Sequence, residues 1–177
     1  PSQIADTALS PLKNSESQRF TRGNLTHKLL QLLPTFPKEN WENASRRFLE
    51  RYGRGLNADI RADIARETLE VLHHPDFAPI FSPGSLAEVP VTGHIEGKGL
   101  VSGQIDRLRI TDDAIWIIDY KTNRPPPKAP EHIPQIYRQQ MQTYADLLTQ
   151  IYPGRTINAA LLWTDGPFLM PLDLESM

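Results

Sequence analysis

An α/β domain is the fold class this sequence predicts, with a mixed central β-sheet flanked by helices and a helical region ahead of it. Two patterns carry the expectation. As far as residue 74, apolar residues recur at the spacing of amphipathic helices, whereas from Leu86 they fall in short runs rich in β-branched and aromatic side chains. A single helical pattern, over residues 134 to 151, interrupts the second half. With 177 residues, 39% hydrophobic and 8% aromatic, the chain has the size and composition of one globular domain with a substantial core.

Residues 1 to 18 are polar and rich in Ser and Asn, and are expected to be the remnant of a linker ahead of a domain spanning 19 to 177. Leu25 to Leu33 is the first helix. At about 100° per residue, Leu25, Leu29, Leu30, Leu32 and Leu33 share one arc while His27 points away from it. Trp41, Ala44, Phe48, Leu49 and Tyr52 define a second helix, and Ile60, Ile64, Leu69 and Leu72 a third that ends near His73-His74-Pro75. Neighbouring helical positions diverge by about 100°, so His73 and His74 do not converge on a metal and are taken as helix-end polarity.

Leu86 to Val91, Leu100 to Ile110 and Ala114 to Thr122 are three successive strands of one sheet. Asn123 to Pro130 is proline-rich and extended, a connector that could flank a binding groove. On the helix that follows, Tyr137, Gln140, Met141, Tyr144 and Leu148 share a face; Tyr137, Met141 and Leu148 are assigned to the core, while Gln140 and Tyr144 stack at i, i+4 and can reach the same ligand. Ile157 to Trp163 and Phe168 to Leu172 flank Thr164-Asp165-Gly166-Pro167 as a second hairpin.

The chemistry concentrates on the first hairpin. With its turn centred between Asp112 and Asp113, Asp106 falls opposite Asp119 and Gln104 opposite Lys121, and Asp119 and Lys121 share a face. Opposed Cβ atoms are about 4.5 to 5.5 Å apart. Two carboxylates at about 4 Å repel by about 4 kcal/mol at an effective dielectric near 20, so the pair needs a cation, a shared proton or separation. Oxygen donors with unbalanced charge suit Mg²⁺ or Mn²⁺, and Lys121 could orient or deprotonate an attacking water. The plainer alternative is an aspartate that merely ends a strand.

Gly103-x-x-Asp106 followed by Ile117-Ile-Asp119-Tyr-Lys-Thr122 resembles the core of the PD-(D/E)xK nucleases, specifically their RecB-type domains, whose core is restriction-endonuclease-like. Gly23-Asn-Leu-Thr-His27-Lys-Leu-Leu30 resembles the N-terminal helix motif of that family, Glu88 its first-strand glutamate, and Gln140-Met-Gln-Thr-Tyr144 its Q-x-x-x-Y motif. Ile105, not proline, precedes Asp106. The resemblance implies Mg²⁺, replaceable by Mn²⁺, held by His27, Asp106, Asp119 and the Tyr120 carbonyl. It implies Lys121 orienting the water, Glu88 as a further acidic group, and Gln140 and Tyr144 near the scissile phosphate. Taken alone, His27 is equally a surface histidine and Glu88 a solvated strand residue.

Within the family, the AddA-type nuclease domain of bacterial helicase-nucleases is the nearest likeness. It implies a single DNA strand delivered by a helicase, 5′-phosphate products, and processing of broken ends for recombination. Its partners are the rest of an AddA-like chain and an AddB-like subunit. There is no Walker-A loop, so ATP would be used only by a motor outside this chain, which is read as an excised domain starting at Pro1. An inactive docking module and a stand-alone exonuclease of the same superfamily are the rivals.

No apolar run approaches the roughly 20 residues of a membrane span, and no signal peptide is visible. Cysteine is absent, which excludes disulfides, thiolate zinc and the iron-sulfur cluster of some RecB-type relatives, and fits a cytoplasmic setting. Net charge is -2 with a pI near 6.2, unlike a stand-alone DNA binder, which again favours a delivered strand. Local positive charge would come from Lys121, Arg124 and Lys128, while Arg107 and Arg109 are expected to be solvated or paired on the far face of the hairpin.

Overall fold

The computed structural model describes residues 11–174. Three helices come first: α1 (Pro11–Leu32), α2 (Trp41–Tyr52) and α3 (Ala58–His73). Then come β1 (Ser85–Ile95), β2 (Gly99–Ile110), β3 (Ala114–Lys121), α4 (Gln135–Ile151), β4 (Thr156–Trp163) and β5 (Phe168–Leu172). The five strands form one sheet in chain order, antiparallel except where β3 and β4, joined through α4, run parallel. A mixed sheet flanked by helices is therefore observed, as is the helical region ahead of it.

Each face of the sheet covers one apolar cluster. Against α4 pack Ile105, Leu108, Ile115, Ile117 and Leu161 with Met141, Tyr144 and Leu148. Against α1 to α3 pack Ile118, Tyr120, Ala160 and Leu162 with Leu25, Leu29, Leu30, Leu33, Leu49 and Ile64. The central strands are buried on both faces, which is why Ile115 to Ile118 and Ala159 to Trp163 are almost continuously apolar. α3 starts where Asn57 Oδ1 accepts the Ile60 N–H at 2.8 Å, a side-chain cap for one of the four free donors of a helix start.

Several expectations are corrected. Residues 11 to 18, expected as linker, are the opening turns of α1; residues 1 to 10 of that expected linker lie outside the described residues. Leu32 leaves the leucine stripe and is 37% exposed, because it ends α1 at the far edge of the buried arc. Arg107 is only 4% exposed, donating through Nε to Tyr120 Oη at 3.0 Å and through Nη2 to the Leu30 carbonyl at 2.7 Å. It ties the sheet to α1 instead of facing water.

The first hairpin keeps the predicted register over Arg107–Ile118 to Ile110–Ile115, and there the β2–β3 ladder ends. Gln104 is not opposite Lys121; it pairs with Pro90 on β1. Glu88 sits at φ 54°, a left-handed conformation that costs a side-chain-bearing residue about 1–2 kcal/mol. Across from it, Ile105 and Leu108, three residues apart, both enter the α4 cluster, so strict alternation slips by one at Asp106. The two strands kink together here.

Gly103 lets α4 close over this kink. A Cβ there would lie 2.5 Å from Tyr144 Cε1 and 2.9 Å from its hydroxyl, closer than real contacts allow. Gly103→Ala is expected to lower stability by about 1–3 kcal/mol, the usual cost of overpacking, as read from the urea unfolding midpoint. Unchanged stability would show that the Tyr144 ring is free to move aside.

Candidate active site

The end of the ladder creates the site. Without a β2 carbonyl opposite, the Tyr120 N–H is taken by Asp106 Oδ2 at 2.7 Å. The other oxygen, Oδ1, lies 3.3 Å from His27 Nδ1, which α1 brings over the sheet on the side opposite its leucine stripe. Glu88 completes the group, its Oε2 accepting from Gln104 Nε2 at 2.7 Å. Ligand atoms of His27, Glu88 and Asp106 all lie within 4.8 Å of one another.

Asp119 and Lys121 emerge from β3 towards α4. Asp119 is 4% exposed, and its Oδ2 is 2.6 Å from Lys121 Nζ. That contact is an ion pair without hydrogen-bond alignment, which leaves Asp119 Oδ2 a buried oxygen with no hydrogen-bond donor. Lys121 Nζ donates to Gln140 Oε1 at 3.3 Å, Gln140 Nε2 donates to Tyr144 Oη at 3.1 Å, and the ammonium lies 3.9 Å from the Tyr137 ring centroid. Tyr137 Oη in turn donates to Asn123 Oδ1 at 3.1 Å. The lysine is held on three sides.

Charge crowding sets the protonation. Burial, then the Asp106 carboxylate, pushes Asp119 up to about 6, against the opposing pull of Lys121 and His27. Burial works to lower the His27 pKa, but the hydrogen bond and charge of Asp106, with Asp119 and Glu88 behind, raise it overall. The metal-free site thus relieves its repulsion by retaining protons.

These residues fit a divalent cation. Donors on one ion with bonds of about 2.1 Å lie no more than about 4.2 Å apart, so a separation within 4.8 Å needs a shift of only a few tenths of an ångström. One imidazole and carboxylate oxygens suit Mg²⁺ or Mn²⁺, and the orphaned Asp119 oxygen offers a further donor. The Tyr120 ring faces away, into the α1 side with Arg107, and the role of its carbonyl rests on the resemblance alone.

Sequence reasoning placed His27, Glu88, Asp106, Asp119, Lys121, Gln140 and Tyr144 in the site, and the structure gathers all seven around one kink. It groups them differently, with His27, Glu88 and Asp106 as the convergent trio and Asp119 engaged by Lys121. Tyr137 was assigned to the core, yet it covers Lys121; its i, i+3 spacing from Gln140 was the available signal. Gln104 gave no signal, because its contact with Glu88 depends on the β1–β2 pairing.

A raised acid pKa gives stability that is fully present below the unfolded value and lost as pH rises through the folded value. With Asp119 moving from 3.8 to about 6, the metal-free protein is expected to lose stability between about pH 4 and 6, and His27 adds a loss of the same sign at higher pH. Urea midpoints in EDTA for wild type and Asp119→Asn check this: the difference between the two proteins should change across that window. A pH-independent difference would refute the assignment.

The profile of the PD-(D/E)XK nuclease superfamily matches residues 5–169. Over 83 residues the chain is 38% identical to the large nuclease-bearing component of the ATP-dependent helicase/nuclease of Lactiplantibacillus plantarum, a stretch covering 47% of this chain and 6% of that protein. The chain therefore spans a small part of that relative's length. The fold is similar to that of a crystal structure from Eubacterium rectale to which exonuclease activity is ascribed, with a TM-score of 0.50, 12% identity, and coverage of 83% of this chain and 61% of that one. With the family's motif positions occupied around a single kink in its sheet, this chain belongs to the PD-(D/E)XK nuclease superfamily.

Proposed function

We propose that this chain is a Mg²⁺- or Mn²⁺-dependent deoxyribonuclease domain that cuts a single DNA strand delivered by an ATP-driven helicase lying outside it. Its setting is the processing of broken DNA ends for recombination in the cytoplasm, and its partners are the rest of an AddA-like chain and an AddB-like subunit. The observation that carries the chemistry is the trio of His27, Glu88 and Asp106 beside an Asp119 oxygen that lacks a donor. The partial likeness to a helicase/nuclease component supports the setting. Among the described residues no helix is long and apolar enough to cross a membrane.

His27, Glu88, Asp106 and Asp119 would hold the cation, which supplies Lewis acidity to a phosphodiester when bound. The chain's own residues do the rest. Asp106 is kept in one orientation by the Tyr120 N–H, and Glu88 by the Gln104 amide, so neither carboxylate must be reorganised for binding. Gln140, itself fixed by Tyr144, and the Tyr137 ring hold the Lys121 ammonium beside Asp119. From there the ammonium can orient the attacking water and stabilise the extra negative charge on the five-coordinate phosphorus. Lys121 has 12% side-chain exposure, so its charge acts in a poorly screened setting.

Titration calorimetry with Mg²⁺ and Mn²⁺, beside cleavage of a labelled single-stranded oligonucleotide, tests the reading. Asp119→Ala is expected to lose both metal binding and cleavage. Lys121→Ala should keep metal binding and lose about 10²- to 10⁴-fold in rate, the usual weight of one charge-stabilising or proton-handling group. Gln140→Ala should fall between wild type and Lys121→Ala in rate, because Gln140 positions the lysine without replacing it. A wild type that binds neither ion sinks the mechanism.

A further inference from the structure

Beyond Lys121 the chain leaves β3 and turns past α1, and a pocket of about 290 Å³ opens there, lined by Arg19, Arg22, Thr122, Asn123, Arg124 and Pro125. Among the described residues no carboxylate lines it. Behind the wall lies Glu67 of α3, 2% exposed, paired with Arg22 at 2.7 Å and in close contact with Arg124. Asp165 is 3.6 Å from Arg124. Arg66 is 3.7 Å from Glu67 but has its own partners in Asp63 and Glu70, at 3.2 and 3.0 Å. Three guanidiniums in the wall thus face two carboxylates, one of them deeply buried.

Two further observations point to a missing anion. Arg22 Nε is buried with no acceptor, a donor left over after Glu67 is satisfied. Arg22 and Arg124 are both held below the usual guanidinium pKa, first by burial and, for Arg124, next by Arg22. Arginine does not deprotonate in proteins, so the crowding persists as uncompensated positive charge.

The pocket also adjoins the active site along a defined path. Arg19, Gly23 and His27 recur every four residues, so they lie on one ridge of α1, about 6 Å apart per step. The middle position has no side chain, and a Cβ on Gly23 would press to 3.2 Å from Thr122 Oγ1. The ridge therefore runs unobstructed from the pocket to the metal ligands. Thr122 follows Lys121 directly, which places the pocket at the exit of the catalytic strand.

We propose that Arg19, Arg22 and Arg124, with the Thr122 hydroxyl and Asn123 amide, form a subsite for one backbone phosphate of the bound strand, away from the bond that is cut. It rests on the nuclease reading above. Planar guanidiniums bind phosphate oxygens bidentately, and the hydroxyl and amide supply neutral hydrogen bonds, so the subsite fixes register without reading bases. It also explains how a chain of net charge -2 holds a polyanion: the positive charge is concentrated where the strand passes.

Binding of a fluorescein-labelled single-stranded oligonucleotide, followed by anisotropy in EDTA across a range of salt concentrations, tests the subsite. Arg19→Gln, at an exposed position, and the Arg19→Gln/Arg124→Gln double variant are compared with Arg54→Gln, at an exposed position just beyond α2. The double variant is expected to bind about tenfold more weakly and to lose about 0.7 from the slope of log K against log salt, the value for one single-strand phosphate. Arg19→Gln should show a smaller loss in the same direction, and Arg54→Gln none. Equal losses in all three, or unchanged binding in the pocket variants, overturns the subsite. Cleavage with Mn²⁺ separates this from the nuclease reading, because cutting that Asp119→Ala abolishes while pocket variants bind normally removes the subsite alone. A wild type that neither binds nor cuts removes both.

Discussion

Everything at the centre of this molecule follows from the cost of holding Glu88, Asp106 and Asp119 together, largely out of water. At about 4 Å and an effective dielectric near 20, each ionised pair would repel by about 4 kcal/mol. The fold distributes that cost over different elements. Asp106 is compensated by a backbone N–H of β3 and by His27 of α1, Glu88 by an amide of β2, and Asp119 by Lys121 and by a tendency to stay protonated. Because each compensating group comes from elsewhere in the chain, the acidic cluster fixes how the helices sit on the sheet.

The same constraint explains the kink. A regular antiparallel ladder would have joined Asp106 and Asp119 face to face and used the Tyr120 N–H within it. Ending the ladder at Arg107–Ile118 frees that N–H for a carboxylate and lets the two acids address different partners. The left-handed conformation of Glu88 belongs to the same departure, since β1 must bend with β2 to keep the pairs on either side of it, Ala87–Arg107 and Val89–Ile105. Arg107 then anchors the far side of the kink to Leu30 and Tyr120, so the strain is held in place by buried hydrogen bonds.

Much of this was legible in the sequence, for reasons that differ by element. The helices over Trp41–Tyr52 and Ala58–His73 and the strands around residues 100–121 carry clean periodicities, and the short polar turn at Asp112-Asp113 fixed the hairpin register near it. The opening turns of α1 were not legible, because their Ser- and Asn-rich residues carry no apolar stripe. Arg107 was misplaced because its burial depends on a carbonyl 77 residues away, and the end of the ladder because it depends on β1. Periodicity reports which face of an element is apolar; it does not report where two elements part. The site lies at such a parting, so its members could be named while their grouping could not.

The grouping has a consequence for how metal and strand depend on each other. Until a cation enters, the phosphate backbone approaches a cluster whose carboxylates repel it, and the His27 proton and Lys121 ammonium are engaged in offsetting those same carboxylates. Once positive charge resides among Glu88, Asp106 and Asp119, the cluster stops opposing the strand, and Lys121 is no longer the only cation available to Asp119. Binding free energies are reciprocal, so whatever the metal contributes to strand affinity the strand contributes equally to metal affinity. A basic pocket one residue beyond Lys121 strengthens this coupling without touching the metal, because a phosphate seated there brings its neighbours along the α1 ridge towards His27. The acidic site and the arginine pocket are therefore two halves of one electrostatic arrangement, and the net negative charge of the chain is compatible with a polyanionic substrate because the two signs occupy successive places along one path.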